Sequence, residues 1–271
     1  MTRTDEDEDS VEEDGEDVPD GEELDESELD LPMPDLDDDA AIGLLAAGEL
    51  AIVGRLMAST NNALLCIVRA GDLAATCVYK PVMGERPLDD FPDGTLARRE
   101  VAAYAVSRAT GWGIVPPTVL RDGPFGEGMV QRWIDVDREA DPIAMVVEGD
   151  VRLRRVAVFD AAINNTDRKA GHLLPVASGH VYGVDHGVCF SAMPKLRTVL
   201  WNWRGQPLAA EEVVVLEALR TGMDGDLRDA LGALLAPIEV TATTRRIDRL
   251  LARRAFPQPD PNRPALPWPR V

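Results

Sequence analysis

No run in this 271-residue chain approaches the roughly 18–20 uninterrupted apolar residues that cross a bilayer, so a membrane-spanning helix is not expected. The N-terminus also lacks the basic and then apolar stretch of a secretory signal. Cysteine is scarce: Cys66, Cys77 and Cys189 are odd in number, show no Cys-x-x-Cys spacing and sit inside apolar runs. That argues against a disulfide framework and a metal ribbon, and predicts small buried hydrophobes in a reducing cytoplasm. Basic residues are almost missing from the first 40 positions, where Arg3 stands alone against 21 Asp and Glu. The remaining 231 residues hold 27 acidic and 27 basic residues, so the net charge of -20 belongs to one segment and the body is neutral. A protein that held nucleic acid through its overall charge would need the opposite sign, and no nucleic-acid partner is expected. No internal repeat is present.

The acidic runs of residues 1–40 repel themselves and have little to bury, which predicts a disordered tail. It reads as a solubilising segment or as an arm for a basic protein partner. At the other end, residues 256–271 contain six prolines and predict an extended tail. Between them, 50–57, 63–68 and 74–82 are apolar and β-branched, with turn chemistry at 59–62 and at Gly71-Asp72; they predict an antiparallel meander. Helical spacing follows over 96–110, with Gly111 as a stop, then two short strands over 115–120 and 129–133. The second half predicts a helix over 151–164, a hairpin of 172–176 with 180–184, and helices over 209–252. A β-rich first lobe of about 41–135 and a helical second lobe of about 136–255 make an α+β chain, with ligands favoured in the cleft between lobes.

Lys80 closes the third strand; such a lysine makes a good fixed cation for phosphate, but alone it reads far more readily as a solvated strand end. Glu100, on the 96–110 helix, is placed to pair with it. The loop Asn164-Asn165-Thr166-Asp167-Arg168-Lys169, ending at Gly171-His172, concentrates polar chemistry that packing explains poorly. Asp185 leaves an apolar strand two residues before Gly187. That is a way to present one carboxylate to a divalent metal, the plainer alternative being a turn-capping aspartate.

Taken together, Val78-Tyr79-Lys80, Glu100, Asn165-Thr166-Asp167-Arg168 and Val184-Asp185-His186-Gly187 resemble, in order and spacing, the phosphatidylinositol 3-/4-kinase family and the related HipA-type kinases. The body from about 41 to 254, including Lys80-Pro81-Val82-Met83-Gly84-Glu85-Arg86-Pro87-Leu88 and Gly111-Trp112-Gly113-Ile114-Val115-Pro116-Pro117, is similar to an actinobacterial phosphatidylinositol 3-/4-kinase-like family. The resemblance implies a two-lobed protein-kinase-like fold and an ATP-dependent phosphotransferase using Mg²⁺ or Mn²⁺ on a lipid, protein or small-metabolite hydroxyl. It assigns Asp167 and Arg168 to catalysis, Lys80 and Glu100 to the nucleotide phosphates, and Asp185 with His172 to the metal. Ser59, Thr60 and Asn61 would form a short phosphate lid, and Gln131 and Trp133, in the connection between the lobes, would lie against the adenine. His172 stands where these kinases usually carry a metal-binding asparagine, and so raises the alternative of a nucleotide-binding pseudokinase. His186 would orient the Asp185 carboxylate, and His180 needs no role.

Overall fold

A computed structural model describes residues 31–56 and 63–270; Ser59, Thr60 and Asn61, expected to form the phosphate lid, lie outside the described residues. Three strands open the body, β1 (Glu49–Arg55), β2 (Leu64–Ala70) and β3 (Leu73–Pro81), and pair as the antiparallel meander that the apolar runs predict. The helix α2 (Leu96–Thr110) follows, then β4 (Thr118–Gly123) and β5 (Gly126–Arg132), which joins β3 to give the sheet order β1-β2-β3-β5-β4. The remainder is mainly helical: α3 (Pro142–Glu148), α4 (Arg154–Ile163), the short hairpin β6 (Leu173–Pro175) and β7 (Val181–Gly183), then α5 (Ala210–Gly222), α6 (Asp226–Gly232) and α7 (Pro237–Arg253). The architecture is the α+β arrangement expected, a β-rich first lobe followed by a helical second lobe.

Each lobe has its own core. Leu64, Cys66, Val68, Cys77, Tyr79 and Val130 fill one side of the sheet against α1 (Asp38–Ala47). The larger core joins α4, α5, α6 and α7 and includes Ala102, Ala103, Tyr104 and Val106 of α2. Thus α2 belongs by sequence to the first lobe and packs against both, on β4 and β5 and on α5 and α6. The three cysteines are fully buried and free. Burial pushes the Cys66 thiol up to about 12, and those of Cys77 and Cys189 are also raised by burial.

Both ends of the described chain are bonded to the body. Of the acidic segment expected over 1–40, residues 32–36 make hydrogen bonds with the sheet. The Pro32 carbonyl accepts from Thr76 N at 2.9 Å and Thr76 Oγ1 at 3.0 Å, while Arg132 donates to the carbonyls of Leu36 and Pro34. Helix α1 then starts inside the acidic run, with Asp37 capping it through Ala40 N at 2.8 Å. Negative charge at a helix N-terminus is favourable, so the residues that look most tail-like begin an element. The proline-rich segment is extended but tied down: Ala265 O accepts from Thr198 N and Trp201 Nε1, and Arg270 O accepts from Ala170 N.

Candidate functional site

Strand β3 turns Tyr79 and Lys80 to opposite faces, as strand periodicity requires. Tyr79 is buried, donates to Gly126 O at 2.6 Å and lies over Gly128, where an added Cβ would sit 2.5 Å from the ring and from Lys80 O. Glycine at 128 therefore lets β5 pass close enough to fix this part of β3. On the other face Lys80 Nζ lies 2.9 Å from Glu100 Oε1 and 3.0 Å from Asp185 Oδ1. Burial opposes the ammonium's charge, but Asp185 and Glu100 outweigh it and hold Lys80 above its ordinary value.

Glu100 is 2% exposed, and its second oxygen accepts the backbone N–H of His186 at 2.8 Å. It is held in place because α2 is anchored at both ends of its first two turns. Glu85 accepts from Leu96 N and Ala97 N at 3.0 and 2.7 Å, satisfying two orphan donors of the helix N-terminus. The adjacent Arg99, 1% exposed, donates to Glu239 of α7 at 2.7 Å and to Cys189 O at 2.8 Å. Glu85, Arg99 and Glu239 were not singled out in the sequence. Glu85 sits in the Lys80–Leu88 stretch that carries the resemblance, and that was the available signal.

Asp185 follows β7 with a left-handed backbone, φ +60°. The left-handed residue of this turn is Asp185 itself, not Gly187. Gly187 lies close against α2, where a Cβ would stand 3.3 Å from Leu96 Cβ, a tight contact that Leu96 would have to ease. The free oxygen of Asp185, Oδ2, is 3.3 Å from His172 Nε2. Lys80 holds the Asp185 carboxyl well below the ordinary carboxylate range. Burial takes His172 down to about 4, against the pull of Asp185, so its imidazole is neutral near pH 7.

Asp167 is partly exposed, with Lys169 Nζ 3.2 Å from its Oδ2. Burial raises its pKa and Lys169 opposes the rise. The loop around it is rigid: Asn165 Oδ1 accepts from Asp167 N, Asn165 Nδ2 donates to Asp160 Oδ1, and Asn164 caps α4 in the left-handed region. Arg168, expected in catalysis, is fully buried. Its guanidinium pairs with the equally buried Asp160 of α4 and donates to Val184 O at 2.9 Å. It also reaches His186 Nε2 at 2.6 Å, which makes that nitrogen an acceptor and places the ring proton on Nδ1. Arg168 is thus a strut joining α4, the 165–168 loop and the segment after β7 that carries Asp185, and it has no exposed surface of its own.

Gln131 and Trp133, expected against an adenine, lie at the end of β5 where the chain passes between the lobes. Gln131 is buried, with its amide donating to Thr118 Oγ1 at 2.8 Å. The N–H groups of Arg132 and Trp133 are already donated to Pro117 O and Thr76 O. Neither the Gln131 amide nor the Trp133 N–H is free to read a purine edge.

The donor set for a metal is small. Among the described residues no group of three or more His, Cys, Asp and Glu converges as a metal site. Asp185 Oδ2 and His172 Nε2 are two donors side by side, which suits a cation that keeps waters and takes its other ligands from phosphates. The neutral imidazole admits Mn²⁺ beside Mg²⁺.

The molecule defined so far is an α+β protein whose two lobes meet at a Lys–Glu–Asp cluster. Protein Rv2133c of Mycobacterium tuberculosis is 41% identical over 274 residues, covering 88% of this chain and 98% of that protein, and the chain belongs to its family. No family model matches the chain. A crystal structure of the Helicobacter pylori proinflammatory kinase CtkA superposes with a TM-score of 0.49 at 12% identity, over 78% of this chain and 94% of that one.

Proposed function

We propose that this chain is an ATP-dependent phosphotransferase of the phosphatidylinositol 3-/4-kinase-like class. One observation carries the reading: Lys80, Glu100 and Asp185, separated by 20 and 105 positions, meet within 3.0 Å at the junction of the lobes. Phosphoryl transfer asks for positioning and charge neutralisation more than covalent help, and this is a set of groups suited to both. Lys80 binds the donor phosphates, and Glu100 sets its direction while tying α2 to the backbone at His186. Asp185, with His172, holds a divalent cation, which when bound neutralises charge on the phosphates. Asp167, made more basic by burial, orients the acceptor hydroxyl and takes its proton. Arg168 keeps Asp167 and Asp185 at a fixed separation through Asp160 and Val184 O.

The body is neutral overall, so a protein or small-metabolite hydroxyl suits it as well as an inositol lipid. The acidic N-terminal segment suits a basic protein partner. The contact of His172 with Asp185 favours a second reading, a pseudokinase that binds nucleotide without transferring phosphate. Titration with ATP and Mg²⁺ or Mn²⁺ tests both: ligand at about 100 times its dissociation constant adds roughly 2.7 kcal/mol to the folded state. Binding with turnover supports the kinase, and binding without it the pseudokinase. The absence of any shift with either metal overturns both.

A further inference from the structure

On the far side of the catalytic loop a cavity of about 470 Å³ opens between α7, the 194–196 loop and the proline-rich strap. Arg246, Arg249 and Arg253 stand at i, i+3 and i+7 on one face of α7, and Lys195 and Arg263 complete a lining of five cations. Asp260 is the one carboxylate in that lining, 3.7 Å from Arg263, and Asp90 outside it pairs with Lys195 at 2.5 Å. Among the described residues Arg249 and Arg253 form no ion pair. Arg246 is 6% exposed and donates to Ala162 O, Ser191 O and Thr243 Oγ1, none of them charged. Burial, together with the neighbouring Arg249, lowers it to about 10, still a cation at neutral pH. In a body of balanced charge, five cations are therefore gathered around a concave space, and three of them, Arg246, Arg249 and Arg253, have no ion-pair partner among the described residues, an arrangement that an anionic occupant would relieve. The wall also carries Leu196 and Trp201, so the cavity offers an apolar side as well as a charged one.

We infer that this cavity is a binding site for a small phosphorylated molecule with at least two negative charges, its organic portion lying on the apolar wall. The volume falls within the range of small-ligand sites, and arginine forks on a helix face suit phosphate oxygens. The site is separate from the Lys80 cluster and does not rest on the phosphotransferase reading. Its floor includes Asn164, whose side-chain oxygen accepts from Lys195 N and which immediately precedes the 165–168 loop.

The test is calorimetric titration of the full chain with inorganic pyrophosphate, without divalent metal, at low ionic strength. The expected result is saturable binding weakened at least tenfold in Arg249→Ala/Arg253→Ala and in Arg263→Ala, while Arg228→Ala, at an exposed arginine of α6 outside the cavity, stays within twofold of the parent. These arginines are exposed, so the variants are expected to fold, and an unchanged melting temperature checks this. No binding, binding indifferent to the cavity arginine variants, or binding weakened as much in Arg228→Ala would each overturn the assignment. So would displacement of pyrophosphate by a synthetic peptide of residues 5–17, which would give the cavity to the chain's own acidic segment.

Discussion

Asp185 and Asp167 each lie beside a lysine, but their environments push them in opposite directions. Asp185 is held ionised by Lys80, whereas Asp167 is raised by burial. Asp185→Asn is therefore expected to weaken metal-dependent nucleotide binding itself. Asp167→Asn should spare binding while lowering transfer by roughly 100-fold or more, and single-turnover assays beside equilibrium titration separate the two. His172 gives a pH prediction. Its folded pKa of about 4 lies below its ordinary 6.5, so the unfolded chain takes up the proton first as pH falls. Stability is whole above pH 6.5 and declines toward pH 4, by about 3 kcal/mol at most. His172→Gln should flatten that part of the stability profile measured by urea unfolding. Arg168→Ala should cost about 3–5 kcal/mol in the same experiment, because it leaves Asp160 charged and buried without its partner. The identities of Lys80, Glu100, Asp167 and Asp185 were legible as candidates through their order along the chain. The inward turn of Arg168 was not, because a polar loop in sequence does not reveal which of its charges meets a buried carboxylate on the preceding helix.

At the scale of the element, α2 decides whether the site is assembled. It carries Glu100 and Arg99 in consecutive positions: the first faces Lys80, and the second is locked to Glu239 of α7. Glu85→Ala removes the acceptor for two N-terminal donors. It should cost on the order of 1 kcal/mol of stability and weaken nucleotide binding through Glu100, whereas Glu85→Gln should restore part of both. The helix was legible at the residues observed, Leu96–Thr110, because its apolar spacing and the Gly111 stop agree. Two helices were not. Helix α1 hides in the acidic run, where charge density argues for a solvated tail although Asp37, Asp38 and Asp39 are what a helix N-terminus favours. Helix α3 is announced by Asp141, whose carboxylate accepts from Ile143 N and Ala144 N, and by Pro142 at the first turn. The signal was present, but the segment is too short to show a period.

At the scale of the molecule, both ends of the described chain are stitched to the body. Deleting residues 1–40 removes the bonds from Thr76 and Arg132 to the 32–36 backbone and the cap of α1. The bonds are lost on the sheet side, where Leu44 and Leu45 are core residues. The melting temperature should fall by several degrees, at roughly 2–4 °C per kcal/mol for a chain of this size. Deleting residues 1–30 alone should leave it within a degree or two, and differential scanning calorimetry distinguishes these outcomes. The contacts between distant segments that build the site, such as that of Lys80 with Asp185, arise only when the two cores dock on α2. No local pattern encodes them.

The sealed cysteines have a practical corollary. Because all three thiols are buried and raised in pKa, the chain presents no reactive thiolate to a maleimide at neutral pH. A single cysteine introduced at an exposed position would then be the sole labelling point in an otherwise unaltered sequence. A fluorophore placed at position 193, where Met193 is 54% exposed and immediately precedes the 194–196 loop, would report on events at the neighbouring arginine cavity without a cysteine-free background.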